Sequence, residues 1–515
     1  MSSQREQWGS RLGFIFAAAG SAVGIGNIWK YPSMAGQNGG GAFTVVYLIC
    51  ILIVGLSIVV AEFVIGRKTQ LSPVGAFEKL APGSNWKWVG FLGVASAFVI
   101  LSFYGVVGGW ILKYIIDSIT GGFGILSGNP DKAGAMFDGF ITSTFSPIIY
   151  QIFFMALCIF VIVQGVKGGI EKWSKVMMPI IIILLGVLAI RGITLEGGME
   201  GLSFLFNPRF EDLTASAIVL ALGHAFFTVS LGMGTMITYG SYLNKKQNLM
   251  SSALWVIFLD TAIAMLAGVA IFTTVFALGA NPAEGPGLIF VILPSIFPQL
   301  AGGAVWGTLF FILLFMAALT SAISILEVVT AYFIDQKGWS RKKATIRFGA
   351  IITIVGVFCS LSLGGGINIT EFLEMPFFDV MDYLSSKYML PIGGMLTAIF
   401  ILDKWGIKEY MYELRQGMNI PSNERLIKKD TITSFLLLIL TLVLVNAASL
   451  TAYFGMIGFL FSVLTIVQII AIFQADDINA FDNFVKNFLI IAATVVAFII
   501  FNEVYFTIVG KALIG

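Results

Sequence analysis

Gly20, Gly24 and Gly26 interrupt an apolar run at residues 17–32 (AAAGSAVGIGNIWKYP), and Asn27, Lys30 and Pro32 follow within the same stretch. Each glycine costs about 1 kcal/mol relative to alanine in a helix, and a bare amide costs more in hydrocarbon. Non-helical backbone at membrane depth is tolerated only where protein surrounds it or it lines a cavity. Freed amides can meet a carboxylate, and freed carbonyls an ammonium or a small cation. The chemistry on offer is the binding of a small charged solute. A second segment follows the same pattern: residues 223–235 (GHAFFTVSLGMGT) place Gly232 and Gly234 inside an otherwise helical run, after Thr228 and Ser230. Taken singly, Gly-x-Gly more often marks close helix packing. Two such breaks, each flanked by Asn, Ser or Thr, favour a site.

The elements that hold these breaks are membrane helices. The chain has 515 residues, 58% hydrophobic and 11% charged. Apolar runs of about 20 residues, enough to span the hydrocarbon core, recur from end to end. They fall near 12–36, 41–66, 89–117, 147–165, 176–196, 215–242, 250–279, 304–334, 345–363, 376–402, 432–448, 453–474 and 484–510. This gives 12–13 spans, depending on how the C-terminal third is divided. The breaks fall in the first and sixth spans. Five spans per unit is odd, so a second copy enters the membrane from the opposite side. Paired broken segments of this kind point to an inverted-repeat transporter with its site at the midplane. The fold expected is all-α and integral to the membrane, a 5+5 inverted repeat with discontinuous first and sixth helices. The core is 1–402, with repeat one about 10–196 and repeat two about 211–402. A cytoplasmic loop at 403–430 and additional C-terminal helices at 431–515 follow.

Basic residues report topology. Arg67, Lys68, Lys79 and Lys87, then Lys167, Lys172 and Lys175, then Lys245 and Lys246, then Lys337, Arg341, Lys342 and Lys343 lie in alternate loops. The 403–430 loop adds Lys404, Lys408, Arg415, Arg425, Lys428 and Lys429. Under the positive-inside rule these loops are cytoplasmic, with the N-terminus and its Arg5 and Arg11. The net charge of +2 therefore implies no nucleic-acid partner. A signal peptide is not expected, because the first apolar run is broken by glycines and continues into a patterned loop, GQNGGGAF. Cys50, Cys158 and Cys359 lie in apolar runs and there is one histidine, so neither a disulfide framework nor a His-based metal centre is expected. No nucleophile–base constellation suggests an enzyme.

Specific motifs sharpen this. REQW at 5–8, GSAVGIGNIWKYP at 20–32, NGGGAF at 38–43, GIEKWSKVMMP at 169–179, FFTVSLGMG at 226–234, ITYGSY at 237–242, LTSAISI at 319–325 and MDY at 381–383 resemble the neurotransmitter:sodium symporter family. The resemblance is to its prokaryotic amino-acid-transporter branch, typified by the bacterial leucine transporter. It runs from Arg5 to about residue 402.

That resemblance implies a sodium-coupled symporter importing hydrophobic, aliphatic and aromatic L-amino acids by alternating access. Substrate binding is carried over to Ala22, Gly24, Ile25, Gly26, Ile100, Tyr104, Phe227, Thr228, Ser230, Met233, Ser321 and Ile325. Tyr104 and the amides near Gly26, at the positive end of a half-helix, would take the carboxylate. The carbonyls of Ala22, Phe227 and Thr228, with the Ser230 hydroxyl, would take the ammonium. Gly24 stands where monoamine transporters of the family carry aspartate, which suits a substrate bearing its own carboxylate. Met233 replaces the aromatic of the leucine transporter, and methionine walls repack easily.

Two sodium ions are implied. The first site takes Ala22, Asn27, Thr228 and Asp260 with the substrate carboxylate, and the second takes Gly20, Val23, Ala317, Thr320 and Ser321. Asp260 departs from the leucine transporter, which has asparagine there and a glutamate where this chain has Ala264. A mid-membrane carboxylate marks function by default, so Asp260 is expected to supply the charge that chloride provides in chloride-dependent relatives. The gates carried over are Arg5 with Asp335, beside Trp8 and Tyr242, on the cytoplasmic side, and Lys30 with Asp382 on the external side. Lys30 replaces an arginine and lacks its bidentate fork, which implies a looser outer gate. Gly169 and Pro179 reproduce a Gly-x9-Pro spacing that lets the fifth helix unwind in bacterial relatives. The location implied is the plasma membrane. The competing reading is a non-transporting amino-acid sensor on the same fold; it would show a lost gate or sodium residue or an added soluble domain.

Overall fold

The computed structural model describes residues 5–285, 287–364 and 375–418, and beyond them only Lys486, Leu489, Ile490 and Ala493. The spans expected at 432–448 and 453–474, most of that at 484–510, and with them the choice between twelve and thirteen, lie outside the described residues.

The described residues form helices and no strand. Helices α1 (Arg11–Ala22) and α2 (Gly26–Gln37) form one span bent by 48° at its break. They are followed by α3 (Gly41–Thr69), α4 (Lys87–Ile119), α5 (Ser146–Val163) and α6 (Val166–Ile193). Helices α7 (Ala215–Thr228) and α8 (Thr235–Gly240) together occupy the sixth expected span. Then come α9 (Leu249–Ala277), α10 (Gly303–Lys337), α11 (Arg341–Leu361) and α12 (Phe377–Trp405). Eight of these are long and apolar enough to cross a membrane, and the bent pair makes a ninth. The all-α fold with broken first and sixth helices is thus as expected.

Local chemistry explains the interruptions. Ser10 caps α1 by accepting the Gly13 N–H, and α1 stops where Val23 turns extended (φ −74°, ψ 102°). Between α7 and α8, Gly232 and Gly234 take φ of +74° and +75°, a left-handed backbone that glycine adopts without a Cβ clash. Ser230 also lies there at φ +54°, where a non-glycine residue is uncommon and is held by its surroundings. Glu62, wholly buried in α3, accepts the Gly232 N–H at 2.8 Å and so satisfies part of the unwound backbone. Close approach of α3 to α8 depends on Gly66, where a Cβ would stand 2.1 Å from the Ile237 carbonyl. The long helices α4 and α10 pack along each other, α6 packs on α9, and α1 lies against α9 and α10. The breaks therefore sit inside the bundle.

Two expectations need correction. The fifth span begins at Val166, ten residues before the expected 176; it follows a turn at Gly165 (φ +89°) and opens with one π-helical turn. Lys167, Glu171, Lys172 and Lys175 depress local hydropathy and hide that start. The structure makes a buried site of Glu171, which accepts from the Gly9 N–H (2.6 Å), the Ser10 hydroxyl (2.9 Å) and the Lys175 ammonium (2.5 Å). Arg67 is likewise no simple topology marker. It is fully buried, paired through Nε with Glu413 Oε1 at 2.9 Å, and it donates to the carbonyls of Gln247 (2.7 Å), Gln416 (3.1 Å) and Glu413. Glu413 lies on a helix, Ile407–Arg415, within the expected 403–430 loop.

Removing one partner of a buried ion pair strands the other and costs about 3–5 kcal/mol. Arg67→Met is therefore expected to lower the thermal unfolding midpoint of the detergent-solubilised protein by many degrees. An unchanged midpoint would contradict the buried pairing.

Candidate ligand and ion site between the helix breaks

At the first break the backbone turns to side chains for partners. The Gly24 N–H donates to Asn27 Oδ1 (3.0 Å) and the Ile25 N–H to the Tyr104 hydroxyl (3.3 Å). Asn27 Nδ2 in turn donates to Asp260 Oδ1 (2.8 Å) and to the Asp260 carbonyl (3.1 Å). The Thr228 hydroxyl donates to the same Oδ1 at 3.0 Å. Asn27, Thr228 and Asp260, expected together from three separate spans, are thus one bonded group, all buried.

Beside it lies a cavity of about 20 Å³, room for about one water. Ser21, Ala22, Gly24, Gly26, Ile100, Tyr104, Phe227, Thr228, Ser230, Met233, Ser321 and Ile325 line it. Eleven of the twelve expected substrate residues are in that lining. The twelfth, Ile25, reaches the site through its backbone N–H. No lining residue carries a formal charge. Gly24 leaves space that the site uses: a Cβ there would stand 2.4 Å from Ser321 Oγ and 2.8 Å from the Tyr104 hydroxyl.

The second set of oxygens also converges. Ser321 Oγ donates among the carbonyls of Gly20 (3.4 Å), Ser21 (3.0 Å) and Val23 (3.2 Å). Thr320 Oγ1 lies 3.5 Å from the Val23 carbonyl and 3.0 Å from that of Ala317. All five expected residues therefore meet where the end of α1 crosses α10. Hydroxyl and carbonyl oxygens of this kind suit a hard monovalent cation.

Ion pairs flank the breaks at both ends. Arg5 pairs with Asp335, donates to Ser241 Oγ (2.7 Å) and lies 4.7 Å over the Tyr242 ring, while Trp8 Nε1 donates to the Tyr239 carbonyl (3.0 Å). Lys30 donates to Asp382 Oδ1 at 2.6 Å and sits 4.0 Å over the Phe227 ring. Both pairs are formed in the one structure.

Several participants were missed from sequence. Glu327, wholly buried in α10, accepts from the Tyr242 hydroxyl (2.5 Å) and Arg341 (2.6 Å), and Arg341 also bonds Glu6 (2.9 Å). Glu327 and Glu62 stand as lone carboxylates in apolar runs, a legible signal. Ser21 gave none: its hydroxyl bonds Ser324 (2.6 Å) and Ser230 (3.3 Å) only because three elements meet there.

Comparison with known proteins bears on the family and the fold. The model of the sodium:neurotransmitter symporter family matches residues 5–125 and 142–503. YhdH, an uncharacterised sodium-dependent transporter of Bacillus subtilis, is 42% identical over 420 residues, covering 81% of this chain and 92% of that protein. An uncharacterised sodium-dependent transporter of Haemophilus influenzae is 36% identical over 412 residues, 77% of this chain and 89% of that protein. Among solved structures, the crystal structure of MhsT in complex with L-phenylalanine is similar at 48% identity and a TM-score of 0.75, covering 81% of this chain and 94% of that one.

Gly24→Ala is expected to displace Ser321 and Tyr104 and to abolish sodium-dependent thermal stabilisation while the protein still folds. Stabilisation by sodium equal to that of the unmodified chain would contradict the close contact.

Proposed function

The chain belongs to the sodium:neurotransmitter symporter family, and on that premise we propose that it imports hydrophobic L-amino acids, aliphatic and aromatic, in symport with sodium. It is a multi-pass membrane protein and not an enzyme. The observation that carries the reading is the uncharged cavity between two helix breaks. Unwound backbone can meet both charges of an amino acid's main chain. The apolar remainder of the lining rejects charged side chains by desolvation cost. The phenylalanine in the MhsT crystal structure supports the same substrate class.

Two sodium sites are part of the proposal: one from the Ala22 carbonyl, Asn27, Thr228, Asp260 and the substrate carboxylate, one from Gly20, Val23, Ala317, Thr320 and Ser321. A carboxylate shared between ion and substrate makes each raise the other's affinity. Asp260 supplies a fixed negative charge beside the cations, so transport is independent of chloride. Alternating access opens the Lys30–Asp382 end and the Arg5–Asp335 end in turn. The transporter core is 1–402, in two repeats. The N-terminus lies in the cytoplasm of a cell whose plasma membrane holds the protein; the distribution of lysine and arginine supports this.

Uptake of labelled leucine, phenylalanine, tyrosine and tryptophan into sealed proteoliposomes tests the proposal. Concentrative uptake driven by an inward sodium gradient is expected, and it disappears when choline replaces sodium. Binding of these amino acids without uptake would overturn it. Replacing chloride with gluconate is expected to leave uptake unchanged, whereas Asp260→Ser gains a chloride requirement. Chloride-independent uptake by that variant would refute charge balance by Asp260.

A further inference from the structure

Two carboxylates near the Arg5–Asp335 pair belong neither to the cavity nor to the oxygen clusters. Glu6, in the chain just before α1, accepts the Val166 N–H at 2.7 Å, and Val166 is the first residue of α6. Glu171, at the end of the π-helical turn that opens α6, accepts the Gly9 N–H at 2.6 Å and the Ser10 hydroxyl at 2.9 Å. Ser10 is the N-cap of α1. Each helix start is therefore held by a carboxylate that belongs to the chain of the other.

The first amides of a helix find no partner within it, and a carboxylate suits them because the helix dipole is positive at that end. Neither start is capped independently. Gly165, before α6, has no side chain to offer. Ser10 accepts the Gly13 N–H, but its own hydroxyl is committed to Glu171. The contacts are close on both sides. A Cβ at Gly13 would stand 2.2 Å from Glu171 Oε1, and one at Gly165, where φ is +89°, would stand 3.0 Å from Glu6 Oε2. Glu171 is buried; Glu6 is partly exposed but is also bonded by Arg341 Nε at 2.9 Å.

We propose that α1 and α6 exchange caps through Glu6 and Glu171, so that their first turns form one opening unit at the Arg5–Asp335 end. Withdrawing the start of α1 removes Glu6 from Val166 and takes Gly9 and Ser10 away from Glu171. Loosening the first turns of α6 breaks the same bonds from the other side. The two starts then open together, as a local cooperative unit below the stability of the whole fold. That this unit opens during transport rests on the alternating-access reading; the exchange of caps does not.

Hydrogen–deuterium exchange of the purified, detergent-solubilised full chain tests it, read over residues 9–14 and 166–170. Glu6→Ala removes only the cap on Val166, and Glu171→Met removes only the cap on Gly9 and Ser10. In each variant exchange is expected to quicken about tenfold at both helix starts, the order set by losing a hydrogen bond to a charged acceptor. Residues 303–312, at the far end of α10, are expected to keep their rate. Quickening of 166–170 alone in Glu6→Ala, or of 9–14 alone in Glu171→Met, would overturn the proposal. An equal rise at 303–312 would also overturn it, because the loosening would then be general. If one variant fails to fold, the cross-effect in the other decides alone. Exchange is read without gradient or amino acid, so a failed cross-effect leaves symport standing, and a failure of uptake leaves the shared caps standing.

Discussion

Every backbone polar group removed from its helix ladder inside a membrane must find another partner, because hydrocarbon supplies none. That constraint organises this molecule. The break at 23–25 sends its amides to Asn27 and Tyr104, and its carbonyls meet Ser321 and Thr320. The break at 229–234 hands the Gly232 N–H to Glu62. The partners come from α2, α3, α4 and α10, so neighbouring helices must arrive in register for the broken ones to be stable. Several of the groups that satisfy unwound backbone also line the cavity or the second oxygen cluster. Fold and site are therefore one set of interactions, and a fault in either is felt in the other.

The two ends differ in how they are held. Arg5 and Asp335 are 15% and 7% exposed, and Asp335 also accepts the Ser72 N–H at 2.6 Å. Beside them stands a second layer, Tyr242–Glu327–Arg341–Glu6. Lys30 and Asp382 are 16% and 34% exposed and share a single bond, supported by Ser386 at 2.8 Å. Exposed pairs contribute about 0–1 kcal/mol, and buried networks considerably more when broken. The Lys30–Asp382 pair is the more exposed and the more weakly held of the two.

Much of the arrangement was legible in the chain itself. Gly20, Gly24 and Gly26 with Asn27, and Gly232 with Gly234, announce the breaks because the pattern occurs twice, at matched positions and beside Asn, Ser or Thr; either one alone would read as close helix packing. Asp260 is flagged by its own charge in an apolar run, whereas Tyr104, Thr320 and Ser321 are ambiguous alone and only family resemblance selected them; the structure brings all four to the breaks. What stayed hidden depended on three-dimensional juxtaposition. Arg67 looks like any basic residue at a helix end until Glu413, 346 positions later, is placed against it. Ser21, Ser230 and Ser324 become a cluster only when α1, the second break and α10 meet. The start of α6 was masked by lysines whose helix is held from outside, through Glu171 and the chain before α1.

In the proposed mechanism ion and amino acid bind at one site built from the two breaks and share a carboxylate. Thermodynamic linkage makes that claim quantitative, since two ligands that favour each other must do so by the same factor in both directions. The measurement is a matched pair of titrations on the purified protein: phenylalanine affinity at low and saturating sodium, and sodium affinity without and with saturating phenylalanine. Large and equal factors are expected in the two. Phenylalanine binding that ignores sodium would contradict it and leave the two breaks as separate, uncoupled sites.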